Sequence, residues 1–148
     1  MEKFEVLQRS PLFDMVSPTE LELAAELSRP RRFNAGDLVF EEGEVGDSLF
    51  VIVTGEVEVL RKNEGGEHKS IQVLKAPEFF GEMSLVDKEV RSATVRARAE
   101  CNLLQLTAEN FVTFRKHHRD AFLFMMMNIA RVLSARLRDA NDRLASRL

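Results

Sequence analysis

The residues best suited to chemistry lie in one stretch, FFGEMSLVDKEVRSATV, which begins at Phe79. Glu82 stands near its start, and Arg91 follows after eight intervening residues. One interpretation is a surface ion pair between these two side chains, which would add little to stability. The other interpretation assigns the two charges to different parts of one ligand. Gly81 favours the second, because a glycine hinge permits a close turn that presents backbone N–H groups to a bound group.

The types of these side chains indicate a ribose phosphate as the ligand. Arg91 carries a permanently charged fork that matches phosphate oxygens, with the Ser92 hydroxyl and the Ala93 N–H beside it. A short helix expected from Glu82 onward would point its free N–H groups at an anion. The Glu82 carboxylate would repel phosphate, but it can accept hydrogen bonds from a sugar hydroxyl. The pattern therefore predicts a compact ribose phosphate with a free 2′-OH.

Other chemistries find few suitable residues. His68 lies in a predicted hairpin tip, and His117 and His118 are adjacent, so they cannot share one helix face. No HxH or HExxH spacing occurs, so we expect neither a metal site nor a cofactor. The carboxylates of residues 41–44 are expected to be solvated in a loop. The sequence therefore predicts a binding protein and not an enzyme.

Composition limits the class of protein further. The chain has 148 residues and is 45% apolar, enough for one domain with an ordinary core. It has no Trp or Tyr, so a ligand base must be held without stacking on either. The single cysteine, Cys101, excludes a disulfide within the chain and is expected to be buried at a strand end. We find no membrane-spanning run and no secretory signal, so we expect a cytoplasmic location by default.

Charge is distributed unevenly along the chain. Residues 1–114 carry −8 and residues 115–148 carry +5, which together give the net charge of −3. The negative total argues against a general nucleic-acid binder. The basic end is either a solvated helix face or a docking surface for an acidic partner.

The N-terminal residues show helical patterns. A short helix is expected over residues 3–8. A second helix should begin at the N-cap Ser17, with Pro18 in its first position and Glu20 completing a capping box. Pro30 is expected to end this helix.

From residue 33 onward, turn residues recur at short intervals. The β-rich runs between them are LVF, LFVIV, VEVL, SIQVL, ATVRARA and LLQL. This spacing predicts a mainly β fold, an antiparallel β-roll of the jelly-roll or double-stranded β-helix kind. LFVIV is apolar at every position, so it should be covered on both faces. In ATVRARA apolar residues alternate with arginines, so one face should be buried.

A helical pattern returns after LLQL. Thr107 and Asn110 are expected to begin a short helix, the polar stretch RKHHRD should follow, and a long helix should start at about Ala121. Within the long helix, apolar residues at heptad spacing form a seam: Ala130, Leu133, Leu137, Ala140 and Leu144. This seam either packs on its own domain or forms a homodimer interface. Its extension beyond the reach of a small roll favours the homodimer.

Two motifs resemble a known family. The run from Phe80 to Leu85, followed after five residues by RSATV from Arg91 to Val95, resembles the phosphate-binding cassette of cyclic nucleotide-binding domains. EEGEVGDSLFVIVTGEVEV is similar to the first glycine-rich signature of the same roll. The resemblance covers about residues 10–148 and is greatest for the sensor domain of the bacterial catabolite activators.

The resemblance implies a role for each cassette residue. Glu82 would bind the ribose 2′-OH, Arg91 would pair with the cyclic phosphate, and Ser92 would add a hydrogen bond to that phosphate. Backbone N–H groups would come from Gly81 and Ala93. Ligand contacts are thus expected from Gly81, Glu82, Met83, Ser84, Arg91, Ser92 and Ala93.

The last helix is expected to supply contacts to the base. The resemblance places Arg136, Leu137 and Ala140 where such contacts would come from. The Arg136 guanidinium could stack on the purine face in place of the missing Trp or Tyr. The alternative is an arginine that faces solvent.

The family implies one domain over residues 1–148, with N-terminal helices over 1–30, the roll over 31–106 and C-terminal helices over 107–148. The expected ligand is cyclic AMP, with cyclic GMP as second choice, and movement of the last helix would be the signal. The bacterial activators continue into a helix-turn-helix domain beyond this point, so we expect no direct DNA binding by this chain. The alternative is a degenerate roll that acts as a protein-interaction or dimerisation module without nucleotide.

Overall fold

The computed structural model describes residues 2–86 and 90–148. Within these ranges the chain forms five α-helices, eight β-strands and a 3₁₀ turn at Pro11–Phe13. The helices are α1 (Lys3–Arg9), α2 (Pro18–Leu27), α3 (Met83–Val86), α4 (Ala108–His117) and α5 (Arg119–Ala145). The strands are β1 (Arg29–Phe33), β2 (Leu38–Phe40), β3 (Ser48–Thr54), β4 (Glu56–Lys62), β5 (His68–Lys75), β6 (Phe79–Phe80), β7 (Thr94–Ala97) and β8 (Cys101–Thr107).

The strands form two antiparallel sheets that pack against each other as a β-roll. One sheet has the order β1-β8-β3-β6, and the other has the order β2-β7-β4-β5. Side chains from both sheets share one buried cluster: Phe33, Phe50, Ile52, Val57, Leu74, Phe80, Val95, Ala97, Cys101 and Leu103. The predicted fold class is therefore confirmed, since this roll carries N-terminal helices and a long C-terminal helix.

Strand β3 is buried on both faces, as its unbroken apolar run predicts. Phe50 and Ile52 point toward the second sheet. Leu49 and Val51 point the other way, into a second cluster built with the helices. Helix α5 enters that cluster through Met125, among others. The first half of α5 is therefore fixed to the roll by apolar packing.

The N-terminal cap of α2 forms as predicted, with one difference. The Ser17 hydroxyl accepts from the Glu20 N–H (3.3 Å) and donates to the Glu20 carboxylate (2.7 Å). That carboxylate therefore bonds to the hydroxyl and not to the backbone N–H of a full capping box. The helix ends at Leu27, with Ser28 as its C-cap, so Pro30 does not end it but lies in β1.

The β-rich runs identified in the sequence do not include strands β1 and β6. Four of the five residues of β1 are exposed, so the strand shows no apolar alternation. Its pairing comes from β8, where Arg29 lies opposite Gln105. Strand β6 has two residues and pairs with Phe50 and Val51 of β3. Both strands exist because of partners that are distant in sequence.

The polar stretch RKHHRD does not form a connecting loop. Thr107 and Asn110 cap α4 reciprocally, as predicted. His118, with φ −141°, is the one residue between α4 and α5, so α5 begins at Arg119 and not at about Ala121. Polar side chains do not prevent a helix, and basic residues in the last turn of α4 favour its dipole.

Cys101 is buried at the start of β8, as predicted. Burial raises the pKa of its thiol above the ordinary value, although hydrogen bonds to the Glu56 and Ala99 carbonyls oppose the shift. In the described part of the chain, no helix is long and apolar enough to cross a membrane.

Candidate functional site

A cavity of ≈ 150 Å³ opens between the second sheet, the α3 segment and α5. One part of its lining is apolar and consists of Phe40, Val59, Leu74, Phe80 and Val95. The remaining lining consists of Gln72, Gly81, Glu82, Met83, Ser84, Arg91, Ser92, Ala93 and Arg136. All seven residues that the sequence predicts as ligand contacts therefore share one cavity.

Arg91 is the buried cation of this cavity, with 7% of its surface exposed. Its Nη1 donates to the Gly81 carbonyl (2.9 Å) and its Nη2 to the Ser48 carbonyl (2.8 Å), and the guanidinium lies 3.9 Å from the Phe40 ring centre. Burial lowers the pKa of Arg91, while Asp47 and other nearby acids oppose that shift. Among the described residues these two carbonyls accept from the guanidinium and no ion pair involves it, so its charge is available to an anion.

Two glycines make room for this arginine. Gly81 has φ +85°, and a side chain there would crowd Arg91 Nη1 and the Ser48 carbonyl. At Gly46, a Cβ would clash with the Arg91 guanidinium and with the Ser84 hydroxyl. Gly46 is therefore a positioning residue that the sequence prediction of the site omits, although it is one of the glycines of the roll signature.

Glu82 is the buried acid of the cavity, with 4% of its surface exposed. Its Oε1 accepts from Arg136 Nη1 at 3.0 Å, and Arg136 Nη2 donates to the Phe79 carbonyl at 2.6 Å. The interpretation of Glu82 and Arg91 as a surface ion pair does not describe this site, because both side chains are buried and Glu82 is paired with Arg136. A residue of α5 thus contacts the cassette directly.

The predicted base contacts on α5 separate into two groups. Arg136 lines the cavity and is only partly exposed. Leu137 and Ala140 are exposed and lie outside the cavity lining. Helix α5 therefore presents its arginine to the cassette and its apolar seam to a different side.

The other cassette residues differ in exposure. Ser84 is buried, Ala93 is half-buried, and Met83 and Ser92 are exposed at the mouth. The segment between the two halves of the cassette includes residues 87–89, which lie outside the described residues.

Gln72 is a polar lining residue that the sequence prediction of the site does not include. It lies on β5 opposite Val59 of β4, and both side chains line the cavity. Its amide can donate and accept, which suits the edge of a base. The signal in the sequence is a polar residue between Ile71 and Val73, but its direction becomes clear only with the strand register.

Among residues 2–86 and 90–148, no group of three or more His, Cys, Asp or Glu side chains could hold a metal ion.

Comparison with known proteins identifies a family that includes this chain. A family model described as "Cyclic nucleotide-binding domain" matches residues 30–118. The chain is 32% identical over 135 residues to the cyclic AMP receptor protein of Thermus thermophilus, covering 91% of this chain and 61% of that protein. It is 27% identical over 141 residues to the CRP-like cAMP-activated global transcriptional regulator of Mycobacterium tuberculosis, covering 95% and 61%. The chain thus spans about three fifths of the length of these relatives.

Solved structures share the fold. The catabolite activator protein of Thermus thermophilus matches with a TM-score of 0.78 at 32% identity, covering 91% of this chain and 62% of that chain. A cyclic nucleotide-binding domain from Methylobacillus flagellatus matches with a TM-score of 0.90 at 22% identity, covering 98% and 84%. Since the family model matches more than half of the sequence and the roll has the same fold, this chain belongs to the cyclic nucleotide-binding domain family.

Proposed function

We propose that the chain binds a cyclic nucleotide, with cyclic AMP as first choice and cyclic GMP as second, and signals by moving α5. The observation that carries the proposal is a buried Arg91 held by neutral carbonyls, in the same cavity as the buried carboxylate of Glu82. One ligand that is anionic at one end and carries a sugar hydroxyl at the other satisfies both groups.

The cavity suggests where each part of the ligand lies. The cyclic phosphate contacts Arg91, the Ser92 hydroxyl and the N–H groups of Gly81 and Ala93. The ribose 2′-OH donates to Glu82. The base lies against the apolar wall, which is formed by Phe40, Val59, Leu74, Phe80 and Val95.

The preference for cyclic AMP is supported by the relatives that are named for it, the cyclic AMP receptor protein and the cAMP-activated regulator. The residues that line the cavity do not indicate which purine is bound. Gln72 can present a donor and an acceptor to either adenine or guanine, so it does not choose between them. We propose a binding module in the cytoplasm that carries out no catalytic step.

The link between binding and α5 is the Arg136–Glu82 pair. Glu82 is the group proposed for the ribose, and its Oε1 accepts from Arg136 Nη1 of α5 at 3.0 Å. A ribose hydroxyl at Glu82 competes with Arg136, which can then stack on the purine. The ligand therefore makes different contacts when Arg136 is bonded to Glu82 and when Arg136 stacks on the purine. A ligand can shift α5 only if its affinity differs between these two positions.

The experiment is calorimetric titration of the folded protein with cyclic AMP and cyclic GMP, for the wild type, Arg91→Ala and Arg61→Ala. Loss of Arg91 removes a charge-assisted, buried contact and should cost at least ~2–3 kcal/mol of affinity. Arg61 is exposed on β4 and serves as the matched control. The absence of heat at millimolar ligand from folded protein would exclude the proposal.

Thermal melting separates nucleotide sensing from the degenerate scaffold that remains the alternative. A ligand that binds only the native state stabilises it by RT ln(1 + [L]/Kd), so the melting temperature rises with ligand concentration. We expect a rise with cyclic AMP in the wild type and none in Arg91→Ala. An unchanged melting temperature in both proteins would favour the scaffold.

A further inference from the structure

A second and larger groove lies on the other side of α3, outside the nucleotide cavity. Its volume is ≈ 390 Å³, compared with ≈ 150 Å³ for the nucleotide cavity. It is lined by the loop before β3 and by α3, α4 and α5, and its lining includes Phe111, Val112, Arg115, Phe122 and Met126. Of the residues predicted to contact the nucleotide, Ser84 alone also lines this groove.

The floor of the groove is apolar and partly open to solvent. Phe111 is buried, whereas Val112, Phe122 and Met126 are half-buried. Val45, at the rim, is 85% exposed and lies opposite Val90 in an isolated bridge, which extends the apolar surface beyond the groove. Flexible Met and Phe side chains at such a surface adapt to an inserted apolar face.

One end of the groove is basic. Arg115 lines it, and Lys116 and Arg119 continue the same helix faces, one turn beyond Val112 and one turn before Phe122. These three cations are exposed, and within the described part of the chain no ion pair involves them. Residues 115–120 carry three cations and one carboxylate, so the corner between α4 and α5 has a net positive charge.

Acidic residues occur at both ends of the groove, with Asp47 at the loop side and Asp120 at the basic corner. Asp47 lines the loop side, where its Oδ1 accepts from the Ser48 hydroxyl at 2.9 Å. Asp120 is exposed on α5 beside Arg119. His118 Nδ1 lies 3.3 Å from Glu20 Oε2, so this side chain is directed toward α2. The groove is thus polarised, with an apolar floor and a positive end.

We infer that this groove docks an amphipathic helical segment of a partner protein that carries acidic residues beside its apolar face. Apolar anchors at helical spacing would fill the floor between α3, α4 and α5. Acidic side chains on the same segment would face Arg115, Lys116 and Arg119. Nucleic acid fits less well, because the floor is apolar and the chain carries a net charge of −3. The inference does not depend on the proposed nucleotide site.

The test is selection of displayed peptides of about 16 residues, long enough for some four helical turns. Peptides are selected on the wild type, and the best is synthesised and titrated by fluorescence anisotropy. We expect enriched peptides to combine Leu, Ile or Phe at helical spacing with Asp or Glu. Their affinity should fall at least about tenfold on Arg115→Glu with Lys116→Glu, and again on Val112→Glu.

Arg61→Glu is the matched control, since it reverses an exposed arginine on the roll and should leave peptide affinity unchanged. Melting curves establish that each variant is folded. The inference is overturned if no peptide is enriched, if the enriched peptides lack acidic residues, or if charge reversal at Arg115 and Lys116 leaves affinity intact. Competition of the peptide by a short DNA duplex would assign the patch to nucleic acid and would equally overturn it.

Discussion

Arg91 and Glu82 are both buried, but their charges are held differently. Carbonyl oxygens and the Phe40 ring surround Arg91, while an arginine from α5 neutralises Glu82. A ligand phosphate, whose anionic oxygens replace the carbonyl contacts of Arg91, gains more binding free energy than a ribose hydroxyl, which must break the ion pair of Glu82. The phosphate contact is therefore expected to supply most of the affinity and the ribose contact most of the signal.

Gly46→Ala tests whether the place of Arg91 depends on a missing side chain. A Cβ at this position clashes with the guanidinium and with Ser84, so Arg91 must shift. We expect weaker cyclic AMP binding and a loss of roughly 1–3 kcal/mol in the free energy of unfolding. Calorimetry and urea unfolding measure the two effects. Gly65→Ala, where a Cβ meets its nearest atom at 3.4 Å, is the control and should change neither.

Glu58 gives a prediction about pH. It lies opposite Arg96 in the sheet, and hydrogen bonding from Arg96 lowers the pKa of its carboxyl while burial opposes the shift. A lowered folded pKa means that the pair stabilises above the ordinary carboxyl range and that this contribution is lost as the pH falls through the folded pKa. Glu58→Gln should therefore lower the melting temperature at pH 7 but hardly below about pH 3.

Melting curves of the wild type and Glu58→Gln across that pH range measure the difference. Glu64→Gln, in the exposed turn between β4 and β5, is the control. An equal effect of Glu58→Gln at both ends of the range would show that the charge of Glu58 is irrelevant to stability.

Helix α5 has two halves with different attachments. The first half packs into the helical cluster, and Asn128 donates to the Leu12 and Asp14 carbonyls (2.9 Å each). In the second half Arg136 reaches the cassette, and the residues from Leu137 onward are exposed. Arg143 also attaches this half to the roll, since its Nη1 donates to the Ile71 carbonyl of β5 at 3.2 Å. A ligand that moves Arg136 from Glu82 to the purine would therefore shift the second half while the first half stays docked.

Double electron–electron resonance tests this movement, with spin labels at Asp139→Cys on α5 and Lys69→Cys on β5. The native Cys101 is buried and its thiol pKa is raised, so labelling should be confined to the new cysteines. We expect cyclic AMP to change the distance distribution. In Arg136→Ala the distribution should already be broad and should respond less.

Arg138→Ala is the matched control for that experiment, because Arg138 is exposed on α5 and bonds to Ser134 of the same helix. Its distributions should match those of the wild type. Unchanged distances at saturating cyclic AMP would contradict a signal carried by α5.

In the folded chain, much of the apolar seam of α5 is exposed. Leu137 and Leu144 are each 62% exposed, and Ala130 and Ala140 are exposed on the same helix. Leucines at heptad spacing on an exposed helix are typical of a coiled-coil interface. The alternative that the seam packs on its own domain does not describe its second half. A homodimer through α5 remains our proposal for this surface.

Light scattering after size exclusion tests the dimer. We expect twice the chain mass of 16.9 kDa for the wild type and the monomer mass for Leu137→Glu with Leu144→Glu, because buried carboxylates oppose association. Asp139→Lys, which changes an exposed charge off the seam, should stay dimeric. A wild type that is monomeric at micromolar concentration would remove the dimer from the proposal.

Several features could be predicted from the sequence because each depends on neighbouring residues. The cap of α4 needs Thr107 and Asn110, three positions apart. The two-sided burial of β3 follows from an unbroken apolar run, since alternate side chains must point to opposite faces. The cassette was recognisable because both halves of its motif and their spacing lie within one short segment.

Tertiary structure decided the contacts between residues that are far apart in the chain. The partner of Glu82 is Arg136, 54 positions away, and the residue that admits Arg91 is Gly46. Gln72 lines the cavity because the register of β4 and β5 places it opposite Val59, and the sequence alone does not give that register. Spacing along the sequence cannot specify such contacts, because they depend on how the roll closes and where α5 packs across it. The sequence by itself therefore determined the ligand-binding motif and the class of fold, whereas the packing of α5 on the roll decided how the ligand site is joined to the rest of the protein.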